Sequence, residues 1–129
     1  MIVVDSSVWI DFFNGAGSDA ADRLDQALGM EEVAVGDIIL VEVLQGFRRD
    51  ADYRTARRVL TALPVLDMLG AAAAVRSAEA YRSLRRRGVT IRKTVDVVIA
   101  SYCIGADLPL LFSDRDFQPF VDHLGLHAA

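Results

Sequence analysis

Short, continuous apolar runs alternate with longer segments of mixed polarity along the chain. The runs "IVV", "VAV", "PVL" and "LPLLF" predict short strands, and the continuous β-branched run "IVV" predicts a strand that is buried on both faces. Helices are predicted between them, over about residues 7–13, 18–28, 37–47, 52–63, 70–87 and 95–104, followed by a short helical turn in "DFQPFVDHL" and a small last strand in the tail. Strands that alternate with helices are typical of a parallel sheet covered on both sides, so the pattern predicts an α/β fold.

Capping residues help to define the helix ends. Ser6 or Ser7 is expected to cap the first helix, which should end at Asn14–Gly15, and Thr94 is expected to cap the sixth. The first helix therefore begins directly after the first strand, which leaves Asp5 at their junction.

Five carboxylates interrupt the apolar segments. Asp5 directly follows the first strand, and Asp114 and Asp116 follow the fourth as "SDRDF". Ligands of parallel sheets sit beyond the carboxyl ends of the strands, so these acids stand where a site is expected. Glu42 and Asp96 lie on predicted helices that are apolar on nearly every side, which predicts that both are buried, and an unpaired buried carboxylate is costly.

Each acid, taken singly, also has an ordinary structural explanation. Asp5 could cap the first helix, and Asp96 could stabilise the first turn of its helix through the helix dipole. Glu42 could form a buried salt bridge with an arginine. Residues 113–116 have the spacing of a capping box, which would explain Asp116 better than Asp114.

Taken together, the acids favour a shared site. Several carboxylates cannot stay ionised within a few ångströms of one another unless a cation neutralises them. Oxygen ligands suit Mg²⁺ or Mn²⁺, whereas no Cys/His cluster is present to hold zinc: His123 and His127 lie near the end of the chain, and Cys103 stands in an apolar run that predicts burial. Carboxylate-bound Mg²⁺ can activate a water molecule and stabilise a leaving oxygen, which suggests hydrolysis of a phosphodiester.

Length, charge and composition limit the class of protein that this chain can be. A chain of 129 residues predicts one globular domain. The net charge of -4 argues against a generally basic nucleic-acid binder, yet six of the fourteen basic residues fall between Arg82 and Lys93. This stretch could contact phosphates or could be a solvated helix end. The sequence has no signal-peptide pattern and no long apolar run, so a cytoplasmic protein without membrane contact is expected.

The ordered stretches "VVDSSVWIDFF", "VEVLQG" and "RKTVDVVIASYCIGADLPLLFSDRDF" resemble the PIN-domain ribonucleases, and within them the VapC toxins of bacterial toxin–antitoxin pairs. The resemblance spans nearly the whole chain. It implies a three-layer α/β/α sandwich around a parallel sheet. The chain departs from many relatives in having Ser113 where they have Asn or His.

Roles for individual residues follow from the resemblance. It implies catalytic roles for Asp5, Glu42, Asp96 and Asp114, and Mg²⁺ or Mn²⁺ ligands at Asp5, Asp96, Asp114 and Asp116. Supporting roles are implied for Ser6, which would orient Asp5, and for Thr94. It also favours RNA-backbone contacts at Arg86, Arg87, Arg92, Lys93 and Arg115.

The implied partners are an RNA substrate, a VapB-type antitoxin that lays a segment across the acidic site, and a second copy of the chain in a homodimer that forms a higher complex with the antitoxin. A transfer RNA or ribosomal RNA is the expected target. The sequence leaves open which RNA is cut and where, whether DNA is cut, whether one or two metals bind, and the identity and stoichiometry of the antitoxin.

Two rival functions share some of these features. A receiver-type phosphoacceptor module also has about this length, a parallel sheet and a Mg²⁺-binding acid cluster. It would need adjacent acids after the first strand and a lysine after the last, whereas this chain has Asp5 followed by two serines, and Lys93 precedes a helix. A PIN-like domain without catalysis is the second rival, but the full set of acids argues against it.

Overall fold

The computed structural model describes all residues from 1 to 129. Its strands are β1 (Ile2–Val4), β2 (Val33–Gly36), β3 (Val65–Leu66) and β4 (Leu110–Leu111). Its helices are α1 (Ser6–Asn14), α2 (Asp19–Met30), α3 (Asp37–Leu44), α4 (Asp50–Thr61), α5 (Ala71–Arg86), α6 (Thr94–Ala106) and α7 (Gln118–Leu124), with a 3₁₀ turn at Arg115–Phe117. The predicted α/β fold with a parallel sheet is confirmed.

The four strands form one parallel sheet in the order β3-β2-β1-β4. Strand β1 pairs with β2 on one side and β4 on the other, with Val3 opposite both Ala34 and Leu110. The chain thus moves outward from β1 through β2 to β3 and then returns to the opposite side of β1. The carboxyl ends of β1 and β4 meet at this reversal, which is where open α/β sheets bind ligands.

The core explains why these segments adopt their structures. Every residue of β1, β2 and β4 is buried, as their unbroken apolar sequence predicts. Helix α6 is buried from Asp96 to Ser101, and Trp9, Phe117 and Phe120 are the largest side chains that are fully enclosed. Because α6 is enclosed by apolar neighbours, its one acidic residue, Asp96, is held in a poorly hydrated position.

Some element ends differ from the predictions. Asp5, rather than Ser6 or Ser7, caps α1, and Lys93 rather than Thr94 stands at the cap position of α6, without a side-chain capping bond. Helix α3 ends at Leu44, before the predicted residue 47. The predicted end of α1 is confirmed, since Gly15 adopts a left-handed conformation directly after Asn14.

The tail adds only an isolated bridge between Ala128 and Leu110 instead of a full strand. None of the helices combines the length and the apolarity that a membrane-spanning helix needs.

Candidate active site

Asp5 lies at the carboxyl end of β1 with its carboxylate turned into a buried position. Asp5 is only 3% exposed. The Oδ2 atom accepts hydrogen bonds from the Ser7 hydroxyl at 2.8 Å and the Ser7 N–H at 3.4 Å, whereas the buried Oδ1 atom has no partner. Burial raises the pKa of Asp5, and the bond from Ser7 partly offsets this. Asp5 is therefore both the helix cap that its type predicts and an acid with a free oxygen.

Glu42 projects from α3 toward Asp5. The residue is half-buried rather than fully buried as predicted, but its Oε1 atom is enclosed and has no hydrogen-bond partner. Burial raises the pKa of Glu42; the Ser6 hydroxyl lowers it, and the charge of Asp5 raises it further. The alternative of an arginine salt bridge is wrong, because none of the ion pairs of the chain includes Glu42.

Asp96 lies in the first turn of α6 and is 4% exposed. Its Oδ2 atom is buried without a partner. Burial, followed by repulsion from Asp5, raises the pKa of Asp96 from 3.8 to about 6, with smaller contributions from the charges of Asp114 and Glu42 and an opposing one from Lys93. The helix dipole favours an acid here, but it leaves the orphaned oxygen unexplained.

Asp114 and Asp116 follow β4 and complete the group of acids. Asp114 Oδ1 accepts the Asp116 N–H at 2.9 Å, so Asp114 caps the 3₁₀ turn. The predicted capping box is therefore wrong: Ser113 does not cap the turn, and its hydroxyl lies 3.4 Å from that of Ser7. Asp96, Asp114 and Asp116 each offer a ligand atom, and these atoms lie within 4.8 Å of one another.

The five acids, Asp5, Glu42, Asp96, Asp114 and Asp116, are called the acid cluster below. They come from the junction of β1 and α1, from α3 and α6, and from the segment after β4, and the fold brings them to one edge of the sheet. Two cations border them. Lys93 Nζ lies 3.6 Å from Asp114 Oδ2, and Arg92 contacts Asp116 Oδ2 through Nη2 at 3.2 Å and Nε at 3.3 Å.

The remaining residues singled out from the sequence form no hydrogen bond or ion pair with the five acids. Arg86, Arg87 and Arg115 are exposed and form no ion pair. Thr94 is exposed and lines a cavity of about 490 Å³ between α5 and α6. His123 is exposed, whereas His127 lies 3.6 Å from Asp107, away from the acid cluster.

The structure corrects the expectation that Ser6 orients Asp5, because the hydroxyl that bonds to Asp5 is that of Ser7. A capping Asp accepts bonds from the second or third residue of its helix. Ser7 is the second residue of α1, so choosing Asp5 as the cap would have identified it. The Ser6 hydroxyl instead lowers the pKa of Glu42.

The acid cluster fits a hard divalent cation. Three buried carboxylate oxygens, on Asp5, Glu42 and Asp96, have no hydrogen-bond partner, and an unpaired buried anionic oxygen is costly unless a cation or a donor meets it. All five groups offer oxygen, which suits Mg²⁺ or Mn²⁺. Cys103 is buried in the core and supplies no soft ligand to this edge.

The family model for the PIN domain matches residues 2–120. The chain is 32% identical over 131 aligned residues to Ribonuclease VapC11 of Mycobacterium tuberculosis, an alignment that covers 100% of this chain and 98% of the relative. The chain belongs to the PIN-domain family, among the VapC ribonucleases. Because the chain belongs to this family, the alternative of a receiver-type phosphoacceptor module is not favoured.

Solved structures with this fold include VapC-containing complexes. The fold resembles VapBC2 of Rickettsia felis bound to a promoter DNA fragment, with a TM-score of 0.78, 19% identity, and coverage of 100% of this chain and 98% of that one. It also resembles VapBC-1 of nontypeable Haemophilus influenzae, with a TM-score of 0.74, 18% identity, and coverage of 100% and 97%. The PIN-domain fold that the sequence resemblance implied is confirmed.

Proposed function

We propose that this PIN-domain protein is an Mg²⁺- or Mn²⁺-dependent endoribonuclease toxin that a VapB-type antitoxin neutralises. The observation that supports this most strongly is the set of three orphaned, buried carboxylate oxygens at the carboxyl edge of β1. One of these acids, Asp96, also belongs with Asp114 and Asp116 to a group of three whose ligand atoms lie within 4.8 Å of one another. Burying unpaired carboxylates has no structural benefit, whereas a metal-dependent nuclease requires them.

Each member of the acid cluster has a role in this proposal. Asp5, Asp96, Asp114 and Asp116 would hold the metal, which when bound activates water and stabilises the leaving oxygen of the phosphodiester. Ser7 fixes the orientation of Asp5 through its 2.8 Å bond, leaving Oδ1 free. Glu42 has a raised pKa and a free Oε1, which suits it to accept the proton of the attacking water.

The proposed partners rest on the VapC relatives. The chain is similar to proteins named ribonucleases, which supports RNA as the substrate, and a transfer RNA or ribosomal RNA is the proposed target. The structural relatives are VapBC complexes, which supports a VapB-type antitoxin. We also propose that the toxin forms a homodimer, that the dimer joins the antitoxin in a larger complex, and that it acts in the cytoplasm.

Metal removal tests the proposed reaction directly. We expect the purified protein, free of antitoxin, to cut a total cellular RNA pool into discrete fragments with Mg²⁺ or Mn²⁺ and to lose this activity in EDTA. Fragment ends are read by sequencing, which also identifies the target. Cleavage that continues unchanged in EDTA would contradict the metal-dependent mechanism.

The paired arginines at the end of α5 are predicted to contact RNA phosphates. Replacing both Arg86 and Arg87 by Ala should weaken RNA binding and reduce the slope of log affinity against log salt by about 1.4, since each phosphate contact on a single strand contributes about 0.7. Binding is measured over a salt series with a catalytically inactive protein. Arg57→Ala with Arg58→Ala, an equally exposed pair on α4, is the matched control. An equal slope in both double variants would assign Arg86 and Arg87 to a solvated helix end.

A further inference from the structure

Arg92 and Lys93 are consecutive residues directly before α6, and each contacts a different member of the acid cluster. Asp114 Oδ1 is engaged by the Asp116 N–H, so Lys93 lies against the other carboxylate oxygen, Oδ2, at 3.6 Å. Arg92 directs both Nε and Nη2 to Asp116 Oδ2. Asp114 and Asp116 belong to the group whose ligand atoms lie within 4.8 Å of one another, so the two cations border the oxygens that a metal would use.

We propose that Arg92 and Lys93 are internal counter-cations that neutralise Asp114 and Asp116 in the metal-free enzyme and are displaced when the metal binds. This inference rests on the proposed metal-dependent function. It assigns to these two residues a role in setting metal affinity, separate from any contact with RNA.

Charge and exposure both favour an exchange of this kind. Adjacent carboxylates repel one another unless a cation lies near them, and here Lys93 Nζ lies 3.6 Å from Asp114 Oδ2 and Arg92 Nη2 lies 3.2 Å from Asp116 Oδ2. The Lys93 side chain is 59% exposed and that of Arg92 is 77% exposed. Both can therefore turn into solvent without disturbing the core, and a solvent-exposed ion pair is weak enough to be displaced by a divalent ion.

The first test measures metal affinity. Lys93→Gln should lower the dissociation constant for Mg²⁺ or Mn²⁺ by about two- to fivefold. This is the range expected when a solvent-exposed ion pair no longer competes with the metal for the carboxylate. Affinity is measured by calorimetric titration of the complete protein without RNA. Arg115→Gln is the matched control, because Arg115 lies between Asp114 and Asp116 in sequence but pairs with neither.

The control separates competition from a general change in charge. An Arg115→Gln effect as large as that of Lys93→Gln would overturn the proposal, as would an unchanged affinity in Lys93→Gln. Lys93→Arg, which keeps a cation, should remain close to the parent. Arg92→Gln should also tighten metal binding beyond Arg115→Gln, and failure to do so would remove Arg92 and Asp116 from the proposed exchange.

The second test follows the lysine itself. Lys93 is the only lysine in the chain, so reductive methylation with ¹³C-formaldehyde labels Lys93 Nζ and the N-terminal amine alone. Saturating Mg²⁺ should shift the Lys93 methyl signal and leave the N-terminal signal unchanged. In Asp114→Asn without metal, the Lys93 signal should already have moved toward the metal-bound position. A Lys93 signal that does not respond while calorimetry records metal binding would overturn the proposal.

The two measurements also distinguish this inference from the proposed function. Metal that binds with no effect of Lys93 or Arg92 would overturn only the counter-cation role, and the metal-dependent nuclease would stand. A protein that binds no divalent metal in calorimetry, in the parent and in Lys93→Gln alike, would overturn both.

Discussion

Asp96→Asn should abolish RNA cleavage while leaving the protein folded. The substitution keeps the shape of the side chain but replaces an anionic oxygen by an amide at a position where the charges of Asp5, Asp114 and Glu42 all raise the pKa of the acid. The loss should reach about a hundredfold or more, since removal of a single group that stabilises developing charge costs about 10²–10³-fold. The rate of fragment formation from the identified RNA target measures this effect.

The fold should survive this change because Asp96 Oδ2 makes no hydrogen bond that the protein would lose. A neutral side chain also relieves repulsion from Asp5 and Glu42, so the melting temperature of the metal-free protein should not fall. Asp107→Asn is the matched control, because it makes the same chemical change at the other end of α6, where the side chain is 88% exposed. Parent-level cleavage by purified Asp96→Asn would show that the acid cluster is not the catalytic centre.

Element order and the positions of the main acids were predictable because both depend on local patterns. A short apolar run bounded by polar or turn residues favours a strand covered on both faces, and an acid that follows such a strand stands at the carboxyl edge. Asp5 and Asp114 were placed in this way. That these two edges are neighbours depends on the position of β4 beside β1, a long-range pairing that no local pattern encodes.

Side-chain partners were harder to predict. The stretch "DSS" contains three good capping residues, so the sequence alone did not decide that Asp5 caps α1 and that Ser7 bonds to it. The ion pair of Lys93 with Asp114 joins the segment before α6 to the segment after β4, and its existence depends on how closely these two approach. The sequence therefore assigned Lys93 to RNA binding alone.

Glu42 shows the limit of an argument from apolarity. Helix α3 is apolar on nearly every side, which predicted full burial, yet Val41 is 62% exposed and Glu42 is half-buried. The hydropathy of a helix shows which of its faces can be buried. It does not show how much of the helix surface the rest of the chain covers. The Oε1 atom of Glu42 is nevertheless enclosed and has no hydrogen-bond partner, so the inference that this acid needs a cation or a donor still applies.

The metal-free protein should become more stable as the pH falls from 7.5 to 5.5. Burial raises the folded-state pKa of Asp5, Glu42 and Asp96, so the folded state binds protons that the unfolded chain releases. This stabilisation is complete below the unfolded pKa of an acid and is lost as the pH rises through the folded pKa. For Asp96 the window runs from 3.8 to about 6, with part of the loss still to come at pH 5.5.

The size of the effect follows from the shift of Asp96. Each pKa unit corresponds to about 1.4 kcal/mol, and water that reaches the site reduces the total to on the order of 1–2 kcal/mol between the two ends of the window. Because most of that window lies below pH 5.5, only about a quarter to a third of this total, on the order of 0.5 kcal/mol, is lost between pH 5.5 and 7.5. Melting in EDTA at pH 5.5 should therefore lie up to about 1–3 °C above that at pH 7.5. Asp96→Asn should weaken the dependence of the melting temperature on pH, because its amide does not titrate. Mg²⁺ should raise the melting temperature of the parent most at pH 7.5, because the acids are ionised there and available as ligands. A parent whose melting temperature falls on acidification in parallel with that of Asp96→Asn would contradict this expectation. It would mean that the acid cluster is already neutralised in the metal-free protein. Lys93 and Arg92 would then supply more of the compensating charge than their exposed positions indicate.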